Sequence, residues 1–254
     1  MKNKLIRALN IFKDSILYGF NRLIKKNIDF NYLLNNNKKN CAVLCCGGSL
    51  ENFIFSKIHF DVIILINVKP GIKKYPEIIN KIGSTPVIIV SNIGENILNY
   101  KLRRDLNIQA VFSRISVPTE KEFKKIRVRR RLEAYGLKVN SFHGYVDSNI
   151  LDNETVNTGL AGVYFASLNY ENIFIFGLDF YSTGYLTGGQ IDFNHLEKKK
   201  GFNQETFGKF LSKNFINICL KFPRNSYFLH TYYKDFDNPL PFNLSIEGKT
   251  CNKL

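Results

Sequence analysis

Four stretches of the chain carry residue types that handle anions and protons. Asn157-Thr158-Gly159 opens the apolar run Leu160 to Leu168, which puts polar side chains and unsatisfied backbone N–H groups at the positive end of an expected helix. Helix ends of this kind hold anions. A short apolar run, Ile173 to Phe176, stops at Gly177 and delivers Asp179 and Tyr181 to the carboxyl end of an expected strand, where open α/β sheets bind ligands. The apolar run Cys41 to Cys46 leads into Gly47-Gly48-Ser49, and in a strand, glycine turn and helix sequence the missing side chains let N–H groups approach a phosphate. Farther on, Gly184, Gly188 and Gly189 interrupt a polar segment, 182–200, that contains Tyr185 and His195. An imidazole with a pKa of about 6.5 is neutral near pH 7 and can accept a proton. Each stretch also has a plainer reading: an N-cap, a structural glycine turn, packed tyrosines, a surface histidine.

The elements that must position these residues alternate between strand and helix. Expected strands at 41–46, 61–66, 86–90, 110–115 and 173–176 are short, apolar and bounded by turn residues, as buried parallel strands are. Expected helices lie at 50–55, 160–168 and 204–220, with a basic helical stretch at 120–136, and 225–233 reads as a late strand. Strand-helix units of this length predict an α/β fold with a doubly wound, mostly parallel sheet and right-handed crossovers. Asn67 and Asn92 follow the second and third strands, where a turn residue is the ordinary reading.

The motifs in their order closely resemble the bacterial sialyltransferases of glycosyltransferase family 42. The resemblance rests on CCGGSL at 45–50, Asn67, Asn92, Asn157-Thr158-Gly159, Gly177-Leu178-Asp179-Phe180-Tyr181 and His195. It implies a Rossmann-like, GT-A-variant glycosyltransferase over 39–254 with a small lid at about 182–200. It further implies inverting transfer of sialic acid, or a related nonulosonate, from its cytidine monophosphate (CMP) conjugate to a hydroxyl of a bacterial surface glycan. His195 would be the base, with Tyr181 and Tyr185 donating to the departing phosphate. Cys46, Gly47, Gly48, Ser49, Asn67, Asn92, Asn157, Thr158, Gly159 and Asp179 would bind the donor. The family has Asn where this chain has Cys46, and Arg where it has Thr155, so CMP-Kdo or another CMP-nonulosonate is the alternative donor. No cofactor or metal is implied.

Charge and cysteine content bound the rest. The net charge of +15 comes from two segments, a surplus of seven in 1–40 and of eight in 101–138. Such a field attracts any polyanion. No helix-turn-helix, zinc or RNA-recognition pattern accompanies it, so nucleic acid is not expected; a non-catalytic basic module remains the reading of another class. Residues 5–24 place Leu5, Leu9, Phe12, Ile16, Phe20 and Leu23 along one helical stripe with basic residues elsewhere. That fits a helix lying on an anionic membrane and equally one packed on the domain; 1–38 are read as this helix and a linker. Five cysteines form no even disulfide framework, which points to the reducing cytosol. With no run long enough to span a bilayer, the expected location is the cytoplasm, peripheral on the inner face of the cytoplasmic membrane. The partners implied are a CMP-sugar donor and a glycan or glycolipid acceptor, with a homo-oligomer left open. Asp235-Phe236-Asp237 has the form of a metal-holding D-x-D, a match too short to carry weight.

Overall fold

Cys41 to Leu44 and Val62 to Ile66 are buried at every position. Strands buried on both faces belong to parallel sheets covered by helices on both sides. The computed structural model describes residues 39–66, 72–91, 105–113, 138–141, 157–183, 203–237 and 239–247. The amphipathic helix expected at 5–24, Asn67, Asn92, the basic stretch 120–136, Tyr185 and His195 lie outside the described residues, as does the expected lid apart from Ser182 and Thr183.

Among the described residues eight strands make one sheet: β1 (Asn40–Leu44), β2 (Val62–Ile66), β3 (Val87–Ser91), β4 (Ile108–Ser113), β5 (Lys138–Ser141), β6 (Asn172–Phe176), β7 (Ser226–His230) and β8 (Leu244–Glu247). Their order is β5-β4-β3-β2-β1-β6-β7-β8. Every pairing is parallel, so the sheet goes beyond the mostly parallel expectation. The order runs outward in both directions from β1 and β6, which makes their junction the topological switch point of a doubly wound fold.

Alternate strand residues face two separate cores. Val43, Ile64, Val90 and Ile175 pack with Leu160 and Val163 of α3 (Thr158–Asn169) and with Phe215 and Ile218 of α4 (Gln204–Lys221). Leu44, Ile63, Leu65 and Phe176 pack on the other face with Phe53 of α1 (Asn52–Phe55) and with Ile78 and Ile82 of α2 (Tyr75–Ile82). Burying each such side chain contributes roughly 1.5 to 3 kcal/mol, so both layers stabilise the sheet. α3 is buried continuously from Thr158 through Ser167, as expected of a helix that is apolar all round. Gly162 lets it settle on β2, since a Cβ there would lie 2.4 Å from Ile66 Cδ1.

α2 and β5 stand where no element was anticipated, and other local outcomes also differ from expectation. The helix anticipated at 50–55 is a 3₁₀ turn, Gly48–Glu51, running into α1. The strand anticipated at 225–233 stops at His230, where the following backbone amides leave the ladder, Tyr232 N–H donating to Asp179 Oδ1 and Tyr233 N–H to Thr231 Oγ1. β8 follows the proline-bearing turn with only Leu244 buried, an edge-strand pattern too short to announce itself.

Candidate active site

Glycine at 47 is explained by close approach. A Cβ there would lie 2.6 Å from both Asp179 Oδ2 and the Gly177 carbonyl, closer than atoms can pack. With no side chain, Gly47 N–H continues the β1–β6 ladder by donating to Gly177 O at 2.8 Å. Gly48 N–H then donates to Thr183 Oγ1 (3.1 Å), Ser49 N–H to Asp179 Oδ2 (2.9 Å) and Leu50 N–H to Gly47 O (3.1 Å).

These four amides are therefore all engaged within the protein. The anion that the glycine turn cradles is the carboxylate of Asp179, which is 3% exposed. It accepts further bonds from the Ser49 and Thr183 hydroxyls and from Tyr232 N–H, with Thr231 Oγ1 at 3.1 Å. A buried carboxylate needs this many donors to offset its desolvation. Asp179 thus pins the turn after β1, the end of β6 and the exit of β7 together. Of the residues expected to bind the donor, Ser49 bonds Asp179 directly, Gly48 reaches it through Thr183, and Gly47 pairs with Gly177.

Beyond Asp179 the backbone takes an uncommon path. Phe180 and Tyr181 have φ of +47° and +64°, left-handed values that cost a non-glycine residue on the order of 1 to 3 kcal/mol. The surroundings impose them. Ser182 N–H and Oγ both donate to Asp179 O, Gln204 Nε2 donates to Tyr181 O, and the Phe180 ring is held by Phe215, Tyr233 and Phe236. The consequence is to send Phe180 into the core and Tyr181 back toward α3.

Asn157 meets Tyr181 there. Its Oδ1 accepts from Gly159 N–H at 2.6 Å as the N-cap of α3, which turns Nδ2 toward the Tyr181 hydroxyl at 2.9 Å. The phenol oxygen is the acceptor of that bond. Accepting one hydrogen bond polarises an O–H and strengthens it as a donor. The first turn of α3 contains no acidic residue, so none of the helix's own side chains offsets its positive end. Gly159 brings the helix start against β1 and β6, its absent Cβ lying 3.2 Å from Cys45 Sγ and 3.0 Å from Leu178 Cδ1. The structure thus gathers Cys46 to Ser49, Asn157 to Gly159, Asp179 and Tyr181 at the β1/β6 switch point.

No family model matches the chain, and no curated protein matches it. Among solved structures it is similar to the monofunctional α-2,3-sialyltransferase Cst-I from Campylobacter jejuni, with 14% identity, a TM-score of 0.51 and 82% of each chain covered. The chain has a sialyltransferase-like, Rossmann-like α/β fold.

Other groups near the strand ends are less suited to chemistry. Burial, then the neighbouring Cys46 and Asp179, pushes the Cys45 thiol well above its usual range, so it stays protonated and inert. Cys46 is half-buried and its Sγ donates to the Ile66 carbonyl at 3.3 Å. In Asp235-Phe236-Asp237 the ring packs edge-on against Phe180 and Tyr233 while both carboxylates are exposed; the triplet is an aromatic anchor flanked by solvated acids. Sequence reasoning missed Thr183, Thr231 and Tyr232. The signal available was position, since Thr231 and Tyr232 immediately follow a strand that ends beside β6. Tyr232 also donates to Glu51 Oε1 at 2.9 Å, and Glu51 pairs with Lys74 at 3.0 Å, bracing the far side of the glycine turn.

Proposed function

We propose that the chain is an inverting glycosyltransferase that moves sialic acid or a related nonulosonate from its CMP conjugate to a hydroxyl of a glycan or glycolipid. The observation carrying this reading is the Asn157–Tyr181 hydrogen bond. It joins, at the switch point, a helix start suited to an anion and a phenol suited to a leaving phosphate. The fold shared with a sialyltransferase supports it. The donor carboxylate or phosphate would lie against Asn157, Thr158 and the α3 N-terminus. Tyr181, assisted by Tyr185, would donate to the phosphate as it departs, and His195 would take the acceptor proton from the opposite side. Asn67 and Asn92 would complete the donor contacts. Cysteine at 46, its thiol donating to Ile66 O, has no side-chain amide to offer the nucleotide. This favours including CMP-Kdo and other CMP-nonulosonates beside CMP-sialic acid.

The test is CMP release from a panel of CMP-sugars, with and without glycan acceptors, in the presence and absence of chelator. Acceptor-stimulated release from a CMP-nonulosonate is expected, undiminished by chelator, because a monophosphate leaving group needs no bridging cation. Loss with chelator and recovery with manganese would overturn the metal-free mechanism. Silence across the panel would favour a basic module without catalysis.

A further inference from the structure

Among the described residues, the rim of the sheet opposite the switch point carries large apolar side chains that stand exposed. Phe242 is 86% exposed, Leu220 57% and Leu168 46%. They come from three elements, the turn before β8, the end of α4 and the end of α3, which precede the neighbouring strands β8, β7 and β6. Hydrogen bonds tie these three places together. Asn243, next to Phe242, donates from Nδ2 toward the carbonyls of Cys219, Phe222 and Asn225, and Asn225 Nδ2 donates to the carbonyl of Ser167. The three apolar side chains thus project from one braced platform. Lys221, whose Nζ lies 5.5 Å from the centre of the Tyr164 ring, and Arg224 are exposed next to them, and with the exposed Glu171 at the same rim they leave a net positive charge. The chain also enters the sheet at this end, Lys39 preceding β1, and the 38 residues before it include the basic apolar-striped segment.

We propose that this rim is a docking surface for an anionic lipid bilayer. Large apolar side chains standing in water next to cations match an interface of acyl chains under anionic headgroups. A protein partner would have to match three separate protrusions; a bilayer only has to be soft and negative. Docked this way, strands of about five residues at about 3.3 Å each hold the switch point roughly 17 Å above the rim, facing away from the membrane. A lipid-linked acceptor would then present a distal sugar, a consequence that rests on the transferase reading, whereas the docking itself does not.

Sedimentation of the full chain with phosphatidylglycerol/phosphatidylcholine vesicles and with phosphatidylcholine alone tests it without any turnover. Binding to the anionic vesicles that weakens with salt is expected, and Leu220→Asp/Phe242→Asp should lower it by about tenfold or more. Both side chains are exposed, so far-ultraviolet circular dichroism and the melting midpoint should be unchanged. If that variant fails to fold, Lys221→Gln/Arg224→Gln reads the electrostatic half: weaker binding at low salt supports the proposal, and unchanged binding overturns it. Wild-type binding by a folded Leu220→Asp/Phe242→Asp variant would place attachment elsewhere and overturn it. So would a chain that ignores vesicles but self-associates through this rim in ultracentrifugation. Failure here leaves the transferase reading standing, and failure to release CMP leaves the docking standing.

Discussion

Tyr181 reaches α3 because two consecutive residues accept left-handed backbone, and the cost is met by the bonds around Asp179. If its phenol stabilises the departing phosphate, Tyr181→Phe should lower turnover by roughly ten- to a thousandfold with donor affinity little changed, and Tyr185→Phe should do less. Steady-state rates and donor binding for both variants check this; equal, small effects would reduce the phenols to packing. His195→Ala should keep donor binding while transfer falls by roughly a hundredfold, and the rise in rate through about pH 6 to 7 should vanish. Normal transfer by that variant would remove His195 from the reaction. At this scale the sequence placed Asn157 at a helix start and Tyr181 after a strand end, but the hydrogen bond between them comes from the structure. The sequence was not legible for Asp179. Its partners Ser49 and Thr231 lie 130 and 52 residues away, and no local pattern shows that a carboxylate will be satisfied by the protein rather than by a ligand.

Most helix and strand positions followed from apolar runs, though α2 (Tyr75–Ile82) was not anticipated, and the glycines show how tightly the elements are fitted. α3 and α4 each carry a glycine where a Cβ would intrude, but the neighbours differ. At Gly162 the obstacle is Ile66 Cδ1, the end of a side chain that can rotate; at Gly208 it is the Phe180 carbonyl oxygen at 2.7 Å, fixed by the strained segment. In a helix, Gly→Ala contributes up to about 1 kcal/mol, which offsets a small repacking cost. Gly162→Ala should therefore leave stability within about 1 kcal/mol, whereas Gly208→Ala should destabilise by roughly 1 to 3 kcal/mol. Urea unfolding of the two variants measures the difference, and equal effects would mean that α4 can shift away from Phe180. The sequence did not reveal these fits, because period and composition report which face is buried and not how close the backbones come. It also missed β5 and β8, four-residue strands at the two edges, where a parallel partner on one side suffices and no long apolar run is needed.

The doubly wound plan was readable from alternating strands and helices, but the location of its switch point required the strand order, which brings β6 beside β1 across 132 residues at Asn40 and Asn172. The same arrangement makes a pH dependence that belongs to the whole sheet. His230 ends β7, stacks on Phe176 of β6 with ring centroids 4.3 Å apart, and lies 3.4 Å from Glu247 of β8, so three strands meet at one imidazole. Burial lowers its pKa below 6.5, and the mostly exposed Glu247 opposes this only in part. Because the unfolded chain then binds the proton more readily than the folded one, stability from this residue is complete above about pH 6.5 and is lost as the pH falls through the folded-state value. Lowering the pH from about 7 to about 5, before most carboxylates titrate, should reduce the urea midpoint of the wild type. His230→Gln keeps a flat polar group on Phe176 but cannot titrate, so its midpoint should change less over that interval. Equal acid sensitivity of the two proteins would show that protonation elsewhere governs the decline and that the imidazole charges without disturbing the stack.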